Sequence, residues 1–559
     1  MMTINRIWDG RMMGIVLLVM LMCSILGGSL FLSRAKAHAA WQQKVDPWVL
    51  ERAAEQSEVE IIIVLVEQAD LSGADSISNK LEKGTYVYDE LTTVALKSQP
   101  PVLEALQSAG FEYRPFWVTN AIWAKGDAAE LEALVRRPDI ARINANPQVK
   151  LDVLGPPNVE DSLREDAGVE WNIELVRAPA VWDAGIIGQG IVIGGQDTGY
   201  EWQHPALINQ YRGWNGSEAD HSYNWHDAIH ENSTTIYLPV ILTNPSYNWH
   251  DAIHNNGAND SSAAECSFDS PEPCDDHGHG THTMGTMVGD DGDLNQVGMA
   301  PGAEWIACRN MKNGVGTPAT YTECYEWFIA PYPMGGDPMV DGDPAKAPHV
   351  INNSWSCPVS EGCTDPDVLK NVVENVRAAG IVTVHSAGNA GPSCSTIHDP
   401  AAIYDASFTV AATTSVDSVA GFSSRGPVTK GDNNPAKPDI SAPGVGVRSS
   451  LRGGSYGSLS GTSMAAPHVA GLAALVMAAN NDLVGDTAAV EQVMKESAVP
   501  LYTSQGCGGD EGDSLPNHVY GWGRIDALQA YEAVIGSGEN QAIFLPANFV
   551  RLLKQVESK

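Results

Sequence analysis

Short apolar runs alternate with helical stripes over most of the chain beyond residue 171. Each run is nearly continuous, which is typical of strands buried on both faces. Four such runs occupy residues 191–193, 305–307, 350–351 and 381–384. Between the last two, apolar residues from Val368 to Val376 recur at helical spacing, and Gly380 follows them. This strand–helix–strand order predicts an α/β fold, with a mostly parallel sheet flanked by helices.

A different pattern occupies residues 59–149. An apolar run at 60–66 predicts a strand, and apolar residues at 102–106 and 131–135 have helical spacing. A loop rich in glycine and proline and an acidic stretch at 160–166 follow. We therefore expect a small α+β domain that ends in a processing region near residue 160.

Residues 1–39 have the features of an export signal. Two arginines precede an almost wholly apolar run at 12–32, and small-x-small cleavage sites follow at 35–39. The alternative is an uncleaved membrane anchor, because the apolar run is long for a signal. The cleavage sites favour a signal peptide, which predicts a secreted, extracellular protein that meets a membrane only transiently.

Composition and charge restrict the class of protein. The chain has 559 residues, of which 43% are hydrophobic and 18% charged; this is a globular composition, in a chain too long for one ordinary domain. Its formal net charge of -35 disfavours nucleic acid as a partner, because phosphate binding needs an excess of Lys and Arg.

Nine cysteines occur, and one of them, Cys23, lies in the predicted signal. The even number that remains suggests disulfides in an exported chain. Sequence neighbours such as Cys266 and Cys274, or Cys357 and Cys363, can pair, but the connectivity stays open. A zinc site is the competing interpretation, which the lack of paired C-x-x-C spacing disfavours.

One segment is duplicated: residues 222–230 recur as residues 246–254. A tandem duplication within a surface loop is the simpler interpretation. Each copy also holds His-x-x-x-His, which chelates a metal only on a helix, and nothing here predicts a helix strongly. Residues 539–559 are interpreted as a separate C-terminal tail whose role the sequence does not indicate.

Three polar residues lie at positions that are typical of catalytic residues. Asp197 follows a predicted buried strand, and the carboxyl ends of parallel strands are where sites form. His279 lies among glycines that indicate close backbone packing, which favours one catalytic imidazole over metal chelation. Ser463 begins an apolar helix that reaches Ala479, with Pro467 expected in its first turn. A serine needs a base and a carboxylate that orients the base, and these segments supply one of each in the order Asp, His, Ser.

The segments that carry these residues resemble the signature blocks of subtilisin-like serine proteases, the subtilases. The matching blocks are Asp197-Thr198-Gly199, His279-Gly280-Thr281-His282 and Gly461-Thr462-Ser463-Met464-Ala465-Ala466-Pro467, and Ser386-Ala387-Gly388-Asn389 is similar to a fourth. The resemblance runs from about Trp171 to Ala533. The segment before residue 155, the cysteine-containing stretches and residues 350–355 point to the bacillopeptidase F-like subgroup.

This resemblance implies a subtilisin-like three-layer fold and a role for each matched residue. Ser463 would be the nucleophile, His279 the base, Asp197 its orienting carboxylate and Asn389 an oxyanion donor. Residues that match the substrate-binding segments are Ser354, Trp355, Ser386, Ala387 and Gly388, although Trp355 is larger than the aliphatic residue often found there. The implied activity is that of a serine endopeptidase acting on protein or peptide substrates.

The resemblance also implies a precursor with four parts: signal peptide 1–39, propeptide 40–160, catalytic domain 161–538 and tail 539–559. The propeptide would aid folding, inhibit the enzyme intramolecularly and be removed by self-processing. We expect a monomer that needs no cofactor for catalysis. Acidic loops such as 290–293 are usually solvated, and a structural calcium ion is the alternative, with no ligands assigned.

Two other functions compete with this interpretation. The Ser-Glu-Asp carboxyl peptidases also carry a Gly-Thr-Ser block, but they use Glu as the base, so the block at His279 argues against them. An inactive homologue that serves as an adhesion or binding module would show a damaged triad, and none of the four key positions is damaged. His277, His282, His385 and His468 are interpreted as packing or supporting residues.

Overall fold

The computed structural model describes residues 41–155, 158–160, 168–230, 266–431 and 435–536. The predicted signal peptide, the C-terminal tail and the second copy of the duplicated segment lie outside the described residues.

The N-terminal part is an α+β unit around a four-stranded antiparallel sheet. The strands are β1 (Glu58–Leu65), β2 (Glu112–Phe116), β3 (Ala121–Asp127) and β4 (Ile140–Ala145), in the order β2-β3-β1-β4. The helices are α1 (Pro47–Glu55), α2 (Lys80–Ser98), α3 (Pro100–Ser108) and α4 (Leu131–Val135). The predicted strand and both predicted helical segments are present, and they share one apolar core that includes Ile61, Leu106 and Ile143.

The larger part is built on a seven-stranded sheet in which every neighbouring pair is parallel. The strands are β8 (Val192–Asp197), β9 (Trp225–Asp227), β11 (Glu304–Arg309), β14 (Val350–Asn353), β15 (Val382–Ser386), β16 (Phe408–Thr413) and β17 (Ile440–Pro443). Their order across the sheet is β17-β16-β15-β14-β8-β11-β9. The four apolar runs lie in or directly before β8, β11, β14 and β15, so the predicted parallel α/β sheet is confirmed.

Helices cover both faces of this sheet. They are α5 (Trp171–Leu175), α6 (Ala178–Asp183), α7 (His279–Val288), α8 (Pro318–Ile329), α9 (Lys370–Ala378), α10 (Thr462–Ala479), α11 (Thr487–Glu496) and α12 (Ala527–Ile535). One apolar core joins α7 and α10 to the sheet, and a second joins α8 and α9 to it.

Helix α10 is the central helix of the first core. In the described part of the chain it alone has the length and apolar composition of a membrane span, and 89% of it is buried inside the protein. Pro467 is the sixth residue of α10, so its expected place in the first turn was wrong by about one turn. A proline lacks the N–H that would bond the carbonyl four residues earlier, which is that of Ser463.

The N-terminal unit docks on the face that carries α8 and α9. Arg114 Nη1 lies 2.5 Å from Glu323 Oε2, and Glu326 Oε2 accepts hydrogen bonds from the N–H groups of Trp117 and Val118 at 2.6 and 3.0 Å. Lys83 Nζ donates to the carbonyl of Gly485 at 2.8 Å. The first two of these contacts place buried carboxylates of α8 against the docked unit.

Short strands connect the two parts. The pair β5 (Val149–Lys150) and β13 (Val315–Gly316) is antiparallel, and β12 (Met311–Lys312) completes that small sheet. Strand β6 (Asn158–Glu160) pairs with β19 (Ser455–Leu459), which pairs with β18 (Val447–Leu451). Strand β7 (Gly168–Val169) pairs with β10 (Asn295–Gln296). The linking segment is thus bound to the larger part on both sides of residue 153.

Eight cysteines approach each other in four pairs: Cys266 with Cys274, Cys308 with Cys324, Cys357 with Cys363, and Cys394 with Cys507. Their Cα–Cα distances of 5.3–6.0 Å suit disulfide bonds. Two of these pairs are the sequence neighbours that the chain pattern suggested.

Candidate active site

The predicted site residues come from neighbouring strands that end at one edge of the sheet. Asp197 is the last residue of β8. Strand β14, beside it, is followed by Ser354, and β15, the next strand, is followed by Ala387, Gly388 and Asn389. Because parallel strands present their carboxyl ends at the same edge, the fold brings together segments that are far apart in the sequence.

Asp197 and His279 form a buried pair. Nδ1 of His279 lies 2.8 Å from Oδ1 and 2.9 Å from Oδ2 of Asp197. Oδ1 also accepts a hydrogen bond from the N–H of Thr198 at 2.7 Å. The carboxylate thereby fixes the ring orientation and favours the tautomer that carries its proton on Nδ1. The other ring nitrogen is left available as an acceptor.

A further carboxylate, Asp275, holds the start of α7 in place. Its Oδ1 accepts hydrogen bonds from Thr198 Oγ1 and from the N–H groups of His277 and Gly278, at 2.9, 3.0 and 2.7 Å. Its Oδ2 accepts from the N–H and the Oγ1 of Thr281, at 3.0 and 2.6 Å. Sequence reasoning missed this residue, although an aspartate just ahead of a helix is a capping signal.

Close packing explains the glycine after His279. A Cβ at Gly280 would lie 2.1 Å from the carbonyl oxygen of Gly199 and 3.0 Å from Asp197 Cβ. Any side chain there would push α7 away from the end of β8. The predicted close backbone approach is therefore confirmed at Gly280, and it sets the His279–Asp197 distance.

Ser463 lies in the first turn of α10, as predicted. Ser463 Oγ donates to the carbonyl of Ser354 at 3.1 Å, and within the described chain it makes no hydrogen bond with His279. In return, Ser354 Oγ donates to the carbonyl of Ser463 at 2.9 Å. That carbonyl is the one that Pro467 leaves without a helical donor, so Ser354 replaces the missing bond. A rotation about χ1 of Ser463 redirects its hydroxyl, and catalytic hydrogen bonds are often long or poorly aligned before the reaction begins.

The side-chain amide of Asn389 is oriented by Thr462. Asn389 Oδ1 accepts hydrogen bonds from the N–H and the Oγ1 of Thr462, both at 3.0 Å. Nδ2 is left free of this contact and donates to the carbonyl oxygen of Asp152 at 3.3 Å. The amide group is thus a donor aimed at a peptide carbonyl, and it is anchored on the residue that directly precedes Ser463.

The residues predicted to bind substrate differ in how they are placed. Trp355 is buried: its ring stacks on Tyr321 with centroids 3.9 Å apart and meets Tyr325 edge-on. The large side chain is therefore part of the packing between β14 and α8. Ser386 and Ala387 are also buried, and the N–H of Gly388 donates to Thr462 Oγ1 at 3.2 Å.

Three of the supporting histidines, His282, His385 and His468, are buried, and each makes hydrogen bonds. His282 Nε2 donates to the carbonyls of Val447 and Gly457, and His468 Nδ1 donates to the carbonyl of Met464. Burial lowers the pKa of His282 and of His385 to about 3 and that of His468 to about 4. These rings are neutral across the physiological range, which suits packing roles.

The first copy of the duplicated segment forms an ion-pair cluster. His226 Nε2 and His230 Nε2 both lie 2.8 Å from Oε1 of Glu323, the carboxylate that also binds Arg114. His226 is in β9 and His230 follows it in a loop, so no helix presents the His-x-x-x-His pair. Across the described ranges, no group of three or more His, Cys, Asp or Glu side chains is arranged to hold a metal ion. Structural calcium, which carbonyl oxygens can also bind, stays a prediction.

Comparison with known proteins places the chain in a family. Residues 188–523 match the model of the Subtilase family, Peptidase S8. The chain is 34% identical over 499 residues to Bacillopeptidase F of Bacillus subtilis (strain 168), covering 85% of this chain and 31% of that protein. It is 33% identical to Serine protease AprX and 35% identical to Subtilisin E, both of the same strain, covering 46% and 36% of this chain and 58% and 46% of those proteins.

This chain thus spans less than two thirds of the length of each of these relatives. The matched region holds Asp197, His279, Asn389 and Ser463 together with the parallel sheet that positions them. The expected subtilisin-like α/β fold is confirmed, and the chain belongs to the subtilase family.

Proposed function

We propose that this protein is a secreted serine endopeptidase that hydrolyses proteins through an acyl-enzyme and is made as a self-processed precursor. The observation that carries the proposal is the buried pair of Asp197 with His279 Nδ1, at the sheet edge where Ser463 begins a helix. Membership of the subtilase family supports the same activity.

In the proposed reaction, Ser463 Oγ attacks the carbonyl carbon of a peptide bond while His279 Nε2 accepts its proton. Asp197 stabilises the imidazolium that forms and keeps the ring in position. His279 then passes the proton to the leaving amine, and water releases the acyl group by the same steps in reverse order. No cofactor takes part in this scheme.

The developing oxyanion is bound by Nδ2 of Asn389 and by the backbone N–H of Ser463. Thr462 fixes the orientation of Asn389, so the donor needs no reorganisation when charge develops. Ser354, Trp355, Ser386, Ala387 and Gly388 form the substrate-binding segments. Trp355 acts through its packing on Tyr321, which holds the backbone of that segment.

The N-terminal unit is proposed as a propeptide that folds with the catalytic domain and inhibits it until it is cut off. Its docking on α8 through Arg114, Trp117 and Val118 supports this role. Export of a monomer through the signal at residues 1–39, formation of the four disulfides and retention of a structural calcium ion belong to the same proposal. A fall in Tm on chelation with EDTA tests the last of these.

The direct test is casein hydrolysis by secreted wild-type protein beside the Ser463→Ala variant, with intact masses of both. The proposal predicts that wild type cleaves casein and loses its N-terminal unit, while the variant does neither. A wild-type protein that is folded and freed of that unit yet does not hydrolyse casein would contradict the proposal and favour a binding role.

A further inference from the structure

The segment that links the two parts of the chain runs through the candidate active site as an extended peptide. Val149 and Lys150 pair antiparallel with Gly316 and Val315, and the N–H of Leu151 continues the ladder by donating to the carbonyl of Gly314 at 2.8 Å. The carbonyl of Asp152 then accepts the hydrogen bond of Asn389 Nδ2 at 3.3 Å.

The Asp152 carbonyl accepts a hydrogen bond from Asn389, the proposed oxyanion donor. It therefore occupies the place of the carbonyl of a peptide bond that is being cut. We infer that the bond between Asp152 and Val153 is the one that this chain cuts in itself, and that Val149 sets the register of that cut. The inference rests on the proposed function, and it names a segment of this same chain as a substrate of that site.

Hydrogen bonds fix the register of the segment at successive residues. Lys150 N–H donates to Glu361 Oε2 at 2.8 Å, between the two ladder contacts of Val149 and Leu151. A shift by one residue would turn Val149 outward and bring a lysine into its place, because side chains alternate along a strand. The ladder therefore permits one placement of the Asp152 carbonyl.

Val149 is the one fully buried residue in the segment 149–152. It packs against the paired Cys357 and Cys363, and its side chain is 1% exposed. Lys150 and Asp152 are exposed. The selectivity of the cut therefore depends on Val149, the fourth residue counted back from the cut bond. There the cysteine pair accepts a small branched aliphatic side chain.

The step itself is a hydrolysis. Ser463 Oγ bonds to the carbonyl carbon of Asp152, the C–N bond breaks, and the serine proton reaches the nitrogen of Val153 through His279. Water then adds to the ester, which restores Ser463 and leaves a carboxyl group on Asp152. No reactant other than water is required.

The test follows the purified precursor over time and maps both new chain ends by mass spectrometry. We expect a released fragment that ends at Asp152 and a partner that begins at Val153, both absent from Ser463→Ala. Mapping both ends separates the first cut from later trimming of one end. Ends elsewhere, for example after Gly155 or within 160–166, in a protein that hydrolyses casein would overturn the inference and leave the proposed function intact. A precursor that stays whole yet hydrolyses casein would also overturn it, whereas a whole and inert precursor would contradict both.

Variants test the register. Val149→Asp should slow the cut about 10-fold or more, since a carboxylate would have to enter the apolar place that the buried valine side chain fills. Leu154→Asp, at an exposed residue of the same segment, is the matched control, and we expect it to be cut at a rate near that of wild type. Because Val149→Asp can also impair folding, the same comparison is made with the mature enzyme and synthetic peptides of residues 146–155. Equal kcat/KM for the wild-type peptide and the peptide carrying the Val149→Asp substitution would overturn the role of Val149.

Discussion

Ser354 and Ser463 bind each other reciprocally: each side-chain hydroxyl donates to the main-chain carbonyl of the other, at 2.9 and 3.1 Å. The bond from Ser354 satisfies the carbonyl that Pro467 leaves without a helical donor. The bond from Ser463 holds its hydroxyl in a defined position from which it can rotate towards His279. The segment after β14 and the first turn of α10 are thereby joined.

Removal of this link should affect both stability and rate. In Ser354→Ala the buried carbonyl of Ser463 loses its donor, which costs about 1–3 kcal/mol of unfolding free energy. We also expect kcat to fall, because the turn that carries Ser463 is no longer anchored. Ser441→Ala, which removes a buried hydroxyl donating to the carbonyl of Gly523, is the matched control. Equal loss of kcat in both variants would show that the link has no special role.

Asp275 is expected to act as a positioning residue. Asp275→Ala removes the acceptor of five hydrogen bonds that hold Thr198 and the start of α7. Since His279 is the first residue of α7, we predict a lower kcat with little change in KM, together with a lower Tm. The split between kcat and KM is measured with a peptide substrate. A change in KM alone would contradict this role.

Asn389→Ala tests the oxyanion donor. Loss of one such donor typically lowers kcat by about 10²–10³, with KM nearly unchanged because the bond strengthens only in the transition state. Self-processing should slow in parallel. Thr462→Val, which removes the hydroxyl that orients Asn389 but keeps its own N–H, should cause a smaller loss. A variant lacking the Asn389 amide that retains full kcat would exclude the proposed role.

The ionisable groups in and beside the cluster at Glu323 contribute to the pH dependence of precursor stability. Burial and Arg114 lower the pKa of His230, but the carboxylates of Glu323 and Asp269 outweigh them and raise it to about 9. Burial raises the pKa of Glu326 to about 8, against the hydrogen bonds from Val118 and Trp117.

Both raised pKa values change the unfolding free energy in the same direction with pH. Between pH 6.5 and 8, His230 and Glu326 bind more protons in the folded precursor than in the unfolded chain, so their contribution to the unfolding free energy falls as the pH rises. We expect the difference in unfolding free energy between Ser463→Ala, which cannot process itself, and the same protein with His230→Gln to shrink by on the order of 1 kcal/mol from pH 6.5 to pH 8, as measured by urea denaturation. The buried histidines with lowered pKa values, such as His282, are present in both proteins and cancel in this difference. A difference that grows over this window would refute the assignment.

Local patterns explain why much of the site could be predicted from sequence. Asp197 ends an apolar strand, and Ser463 begins an uninterrupted apolar helix that ends at Ala479, as the structure finds. Contacts between distant segments leave no such signal. Asp152 and Asn389 are 237 positions apart, and Arg114 and Glu323 are 209 apart, so neither pairing follows from periodicity.

Pro467 illustrates the limit of a local rule. The rule that proline belongs in the first turn assumes that a missing N–H leaves a carbonyl without a donor. Here Ser354, from another part of the fold, supplies that donor. Tertiary contacts therefore permit a proline one turn further into α10 than local chemistry predicts.

In the proposed reaction Ser463 is an activated nucleophile. The most direct measurement treats the mature protein with a fluorophosphonate and maps the modified residue by mass spectrometry. We expect stoichiometric modification of Ser463, loss of casein hydrolysis in proportion, and strongly reduced labelling in Asp197→Asn, because that substitution disturbs the tautomer of His279. If the folded protein, freed of its N-terminal unit, is not labelled or is labelled at another serine, Ser463 is not the activated nucleophile.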